Sequence, residues 1–188
     1  MNAVPDSEVR KDTRLATTPV VRTFNEWDPL EEVVVGIVDG ATIPAWHSCL
    51  EATMPEEHFG MYQNRGGQLF PSEIIDAARR ELDGLCRVLE SEGVTVRRPE
   101  AIDFSRKFET PNWNSASGLY AAMPRDVLLV VGDEIIEAPM AWRCRYFEVH
   151  AYRKLIKEYF NRGARWTSAP HPQLLDELIR HPHPAQKH

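Results

Sequence analysis

Three cysteines, seven histidines and one Arg-Asp pair are the residues of this 188-residue chain that bear most directly on chemistry. Cys144 sits near the start of a helix expected to run through 144–162, a setting that lowers a thiol's pKa. Its nearest histidine, His150, is six residues on and about 120° around such a helix, so the two do not pair locally. Cys86 lies beside an apolar helical stripe and reads as a buried structural thiol. His47, Cys49 and His58 offer three metal-ligand types in one loop, but their spacing is irregular and a fourth ligand is missing. A structural role is expected for them, and no metal. The pair Arg125-Asp126 falls at the head of an expected strand. Read from its residues alone, Asp126 is a strand-end surface aspartate or the partner of a nearby arginine. Arg125 is expected to form a structural ion pair. Arg143 and Arg145, on either side of Cys144, are expected to be solvated or structural.

The elements that must position these groups repeat. Residues 72–92 carry Ile75, Ala78, Leu82, Leu85 and Leu89 at three-four spacing, the mark of an amphipathic helix. Ser72 after Pro71 is the expected N-cap and Gly93 the C′ residue. The strand VTVRRP follows and stops at Pro99. Residues 144–163 carry Val149, Tyr152, Ile156 and Tyr159 in a similar stripe. Gly163 ends it, and the strand ARWTSAP stops at Pro170. Gly93 and Gly163 are 70 residues apart, so the chain reads as two copies of one supersecondary unit. The strand material before the second helix is a hairpin, DVLLVV and EIIEAP, joined by Gly132-Asp133, a pair suited to a two-residue turn. Before the first helix it is EEVVVGIV, followed by a segment, 39–71, of little periodicity. Trp113 and Asn114 precede the hairpin, with Trp113 expected as an anchor and the pair placed to line a mouth. Trp27 in NEWDPL is expected to fix the entry of the first strand.

Bulk properties set limits. Hydrophobic residues make up 43% of the chain, and 22 basic against 28 acidic residues give a net charge of −6. Such a balance argues against nucleic acid as the main partner. No apolar run is long enough to span a bilayer. Residues 1–22 lack the apolar stretch of a secretory signal and read as a flexible polar lead. A sparse, odd set of cysteines is no disulfide framework and fits a reducing cytosol. The end of the chain, 179–188, is rich in His and Pro and reads as disordered.

Three blocks, GLYAAMPRDVLLVVGDEIIEAPMAWRCRYFEVHAYR (118–153), FNEWDPLEEVVV (24–35) and GVTVRRP (93–99), resemble the arginine:glycine amidinotransferase family in the same order. The resemblance runs from about Phe24 to about Leu178. It implies an α/β fold of strand-strand-helix-strand units, with residues 23–178 supplying about two of the five units of an α/β propeller around a central channel. Five units of about 70 residues would need roughly 350. It implies that Asp126 binds the guanidinium of the arginine donor, because a carboxylate accepts two parallel N–H donors from that planar fork. The implied chemistry is amidino transfer through a cysteine intermediate, with a histidine moving protons and no cofactor. The family's nucleophilic cysteine and its histidine lie further along than residue 188. No catalytic residue is therefore expected in this chain, and it is expected to be truncated and inactive alone. Implied partners are arginine and an amine acceptor of the glycine type, and a homo-oligomer or a complementing chain. Another amine, such as an amino-cyclitol, is the acceptor alternative within the family. A non-catalytic guanidine-binding module is the alternative from another class.

Overall fold

The computed structural model describes residues 19–179. The tail histidines and most of the 1–22 lead lie outside them, as does all but the first residue of 179–188. The described chain is mixed α/β. In chain order it runs through β1 (Glu32–Val34), α1 (Ser48–Thr53), α2 (Phe59–Arg65), α3 (Ser72–Ser91), β2 (Thr95–Arg97), β3 (Phe108–Glu109) and β4 (Asn114–Ser115). It continues through α4 (Pro124–Val127), β5 (Leu128–Val131), β6 (Glu134–Glu137), α5 (Arg153–Asn161) and β7 (Arg165–Ser168).

The repeat holds in three dimensions. β1 pairs in parallel with β2 across α3, and β6 pairs in parallel with β7 across α5. Both helices end alike. Gly93 and Gly163 take φ of 82° and 101°. Val94 donates to Leu89 O and Ala164 to Tyr159 O, while Gly93 donates to Glu90 O and Gly163 to Phe160 O. This paired closure satisfies the last helical carbonyls and needs a left-handed C′ residue. β5 and β6 form the expected hairpin through Gly132-Asp133, with Val131 opposite Glu134.

Three expectations are corrected. Ser72 is the first helical residue, and the cap is Pro71, with no side-chain cap bond. The second helix is not continuous from 144. Tight 3₁₀ turns at Arg143–Arg145 and Glu148–Tyr152 precede α5. The stretch between Cys144 and Tyr152 is rich in β-branched and aromatic residues, weak helix formers, and its side chains are drawn to different partners. Asp126 is not in a strand. Pro124, with φ already set for a first helical position, starts the single turn α4, and β5 begins two residues after Asp126. The 39–71 segment is ordered, with α1, α2 and a 3₁₀ turn at Glu56–His58, and with Thr42, Ile43 and Leu50 buried.

The main core, with Val127, Ile135, Tyr152, Ile156 and Tyr159 among its members, gathers around the second unit. The first unit leans on it. Ile37 bridges to Ala121, and a Cβ on Gly36 would lie 2.2 Å from Ala122 O, so only glycine admits that approach. Glu32 on β1 meets Arg97 at 3.2 Å and the Tyr159 hydroxyl, and Arg97 also pairs with Glu158 of α5.

Candidate functional site

Asp126 occupies α4, and its side chain is 44% exposed. Its Oδ2 is 2.9 Å from Nη1 of Arg145, which the first 3₁₀ turn carries inward. Arg145 is largely buried, and its Nε and Nη2 donate to the carboxylate of Glu148 at 2.8–3.0 Å. Glu148 opens the second 3₁₀ turn and is almost completely buried. Arg145 closes one turn and Glu148, three residues on, opens the next, and the two side chains meet across that junction. The Arg145 guanidinium also lies over the Tyr120 ring, 5.5 Å from its centroid. Burial pushes Glu148 up to about 7, although Arg145 pulls the other way.

The neighbouring residues are placed as follows. Arg125 is exposed and has no ion-pair partner among the described residues, so the structural pair expected for it is absent. Its neighbour Asp126 holds that role. Arg143 is buried and structural. Its Nε donates to Leu174 O at 3.0 Å, and Nη2 reaches Asp176 at 2.7 Å. Trp113 anchors the same segment, residues 173–176, its Nε1 donating to Gln173 O at 2.7 Å. Trp27 does not fix the first strand, being 83% exposed. Asn25 does so instead: its Oδ1 accepts from the backbone of Trp27 and Asp28.

All three cysteines are buried and unpaired. Burial pushes the Cys144 thiol up to about 12, with Glu148 adding to the effect. The lowering expected from a helix start is therefore overruled, as the helix does not start there. Burial raises Cys49 too. His47 accepts a hydrogen bond from Cys49 N as the cap of α1, and its Nε2 faces Asp176 at 3.4 Å. His58 sits beside Glu57. Among the described residues no three His, Cys, Asp or Glu side chains are grouped to hold a metal ion. A cavity of about 200 Å³ lies between residues 45–50 and 142–144, lined by His47, Cys49, Asn114, Arg143 and Cys144 among others. Asp126 is not on it, and Arg143, the charged group on its wall, is already bonded. The Asp126–Arg145–Glu148 cluster is the better candidate because it joins a half-exposed carboxylate to a buried arginine–glutamate pair, with more negative than positive groups.

Sequence reasoning pointed to Asp126 and missed Glu148. The signal available was RCRYFE, opposite charges at a three-residue spacing, which is also common on solvated helix faces.

No family model matches the chain. An L-arginine:L-lysine amidinotransferase of Pseudomonas savastanoi pv. phaseolicola is 54% identical over 165 residues, 88% of this chain and 45% of the relative. A mitochondrial glycine amidinotransferase of Xenopus tropicalis is 50% identical over 186 residues, 97% of this chain and 44% of the relative. Two solved structures superpose with a TM-score of 0.77. One is an amidinotransferase of the saxitoxin biosynthetic pathway from Microseira wollei, 52% identical over 83% of this chain. The other is an inosamine-phosphate amidinotransferase from Streptomyces griseus, 41% identical over 85% of this chain. The chain spans about 45% of the length of either solved relative.

Proposed function

As the chain belongs to the amidinotransferase family, matching the N-terminal part of its members, we propose that residues 23–178 supply the donor side of an amidino transfer from arginine, with Asp126 holding the guanidinium. The observation that carries this reading is the half-exposed Asp126 carboxylate, set on the buried Arg145–Glu148 pair. With Glu148 ionised the cluster holds two carboxylates and one guanidinium, so it is one cation short. The relatives' names give different acceptors, yet all four match this region at 41–54% identity. That pattern fits a shared donor site and leaves glycine, lysine or an amino-cyclitol to be selected elsewhere.

In the assembled enzyme a thiolate attacks the guanidino carbon. The C–N bond to ornithine breaks, a histidine protonates the departing amine, and the amidino-cysteine passes its group to the acceptor amine. All three cysteines are buried, and burial raises the thiols of Cys49 and Cys144, which does not suit that step; on the family reading the thiolate and histidine come from outside these 188 residues. The 188 residues alone therefore release no ornithine from arginine and glycine. Turnover that Cys144→Ser abolishes would overturn this. Two of five propeller units is the architecture the repeat supports. A complementing chain or a second copy is the partner it calls for, and the cytosol is the compartment proposed from three reduced cysteines. No described helix is long and apolar enough to cross a membrane.

The direct test is titration of L-arginine into the wild-type chain and Asp126→Asn, followed by NMR. A partly open site and an exposed ion pair worth about 0–1 kcal/mol leave the expected wild-type affinity at millimolar or poorer, roughly −4 kcal/mol at best. The variant should show no saturable shift. Equal responses would remove Asp126 from the site.

A further inference from the structure

Glu148 is the most deeply buried acid near Asp126, with its side chain 2% exposed, and each of its oxygens faces Arg145. Three points hold that guanidinium: the Glu148 carboxylate, the Tyr120 ring and Oδ2 of Asp126. A planar fork fastened at Nε and Nη2 cannot swing, so the direction of its Nη1 is set. Nη1 pins one oxygen of Asp126, and the other has no partner among the described residues.

We propose that Arg145, anchored by Glu148, is a positioning residue that presents the Asp126 carboxylate to an incoming guanidinium, and that one such cation completes the charge of the Glu148–Arg145–Asp126 triad. This rests on the reading of Asp126 given above. Removing an anchor from a buried ion pair costs far more than an exposed pair supplies, so the anchor acts on the site through orientation and through charge.

The charge argument has a pH consequence. The groups facing Glu148 are Arg145, Asp126, Tyr120, Cys144 and Tyr152. Burial raises Tyr120, Cys144 and Tyr152, so these stay neutral near pH 7, and Arg145 stays charged. Glu148 is then the member of the triad that titrates, at about 7. Below that pH the triad is already balanced, one guanidinium against the Asp126 carboxylate. Above it the triad is a charge short. A guanidinium favours the ionised acid, so its binding releases a proton and its affinity rises with pH.

The experiment is an NMR titration of L-arginine, with L-citrulline as the uncharged control, into the 188-residue wild type, Asp126→Asn, Arg145→Lys and Glu148→Gln. Each is run at about pH 6, 7 and 8, with circular dichroism as the folding check. Wild-type affinity should rise about three- to tenfold across that range, and citrulline should not bind. Glu148→Gln keeps the shape of the anchor and should abolish the pH dependence. Arg145→Lys keeps the charge without the fork, and should retain the pH dependence with a few-fold weaker binding. If Asp126→Asn binds arginine as the wild type does, the underlying site reading fails. If Asp126→Asn loses binding while wild-type affinity is flat with pH and Glu148→Gln is unchanged, the site stands and the positioning role falls. Should Glu148→Gln not fold, the wild-type pH profile decides alone: a rise supports the triad and a flat line overturns it.

Discussion

Glu148 and His47 carry opposite pH signatures, and stability should show both. The folded chain holds the Glu148 proton up to about 7, against an ordinary 4.5. Between those values it binds a proton that the unfolded chain has released, so stability falls as pH rises through the window. His47 and His150 are lowered, chiefly by burial. There the unfolded chain takes up protons that the folded chain refuses, so stability falls as pH drops below about 6.5. The two effects oppose each other over much of the same range. Glu148→Gln removes one of them. Its melting temperature relative to wild type should climb as pH goes from about 4.5 to about 7, measured by thermal circular dichroism at several pH values. A constant difference between the two proteins would show that burial does not raise the acid. The stripe Val149, Tyr152, Ile156 and Tyr159 was legible in the sequence because apolar spacing reports burial directly, and all four are buried. Glu148, one residue away, was not legible. Its burial depends on Arg145 reaching it and on Asp126, more than twenty residues earlier, completing the pairing. No local pattern encodes that.

At the scale of elements, the glycines carried the repeat and the prolines carried its strand ends. Gly93 and Gly163 were readable as helix exits because the left-handed C′ position favours the one residue without a Cβ. The break of the second helix was hidden, since apolar spacing says which face is buried and not whether every turn is α. α4 was hidden too. Pro124 opens helices and also flanks strands, and the apolar run behind it favoured the second reading. The two kinds of glycine give a paired test. Gly163, at φ 101°, should cost about 1 kcal/mol or more as Gly163→Ala. For a chain of this size that is a fall of about 2–4 °C in melting temperature. Gly84 lies inside α3, and a Cβ there meets only the Arg87 side chain at 3.8 Å. Gly84→Ala should therefore gain up to about 1 kcal/mol. If both substitutions shift stability the same way, the exit geometry is not what holds the second helix end.

At the scale of the molecule, the two units are unequally covered. Tyr152, Ile156 and Val127 are all but sealed, while along α3 only Cys86 is fully buried, with Ile74, Leu85 and Val88 left 54%, 49% and 60% exposed. The β1–β2 sheet has two strands where the second unit has three. A stacked unit buries its faces against its neighbours, and α3 keeps an apolar face that nothing described covers. Opening of the first unit should therefore need much less free energy than opening of the second. It would break the Glu32–Arg97–Glu158 pairs and the Gly36 contact and withdraw Ile37, while the core residues around Tyr152 and Ile156 stay packed on one another. Native-state hydrogen exchange measures this. Amides of α3 and β2 should exchange well before those of α5 and β6, and denaturant should expose them in a separate, earlier step. Arg97→Ala should speed exchange in α3 and β2 and leave α5 close to unchanged, because the core around Tyr152 does not rest on that pair. Uniform protection across both helices would mean that the first unit is stabilised by its second-unit contacts as fully as by a neighbour of its own, and the two units would then be one cooperative body.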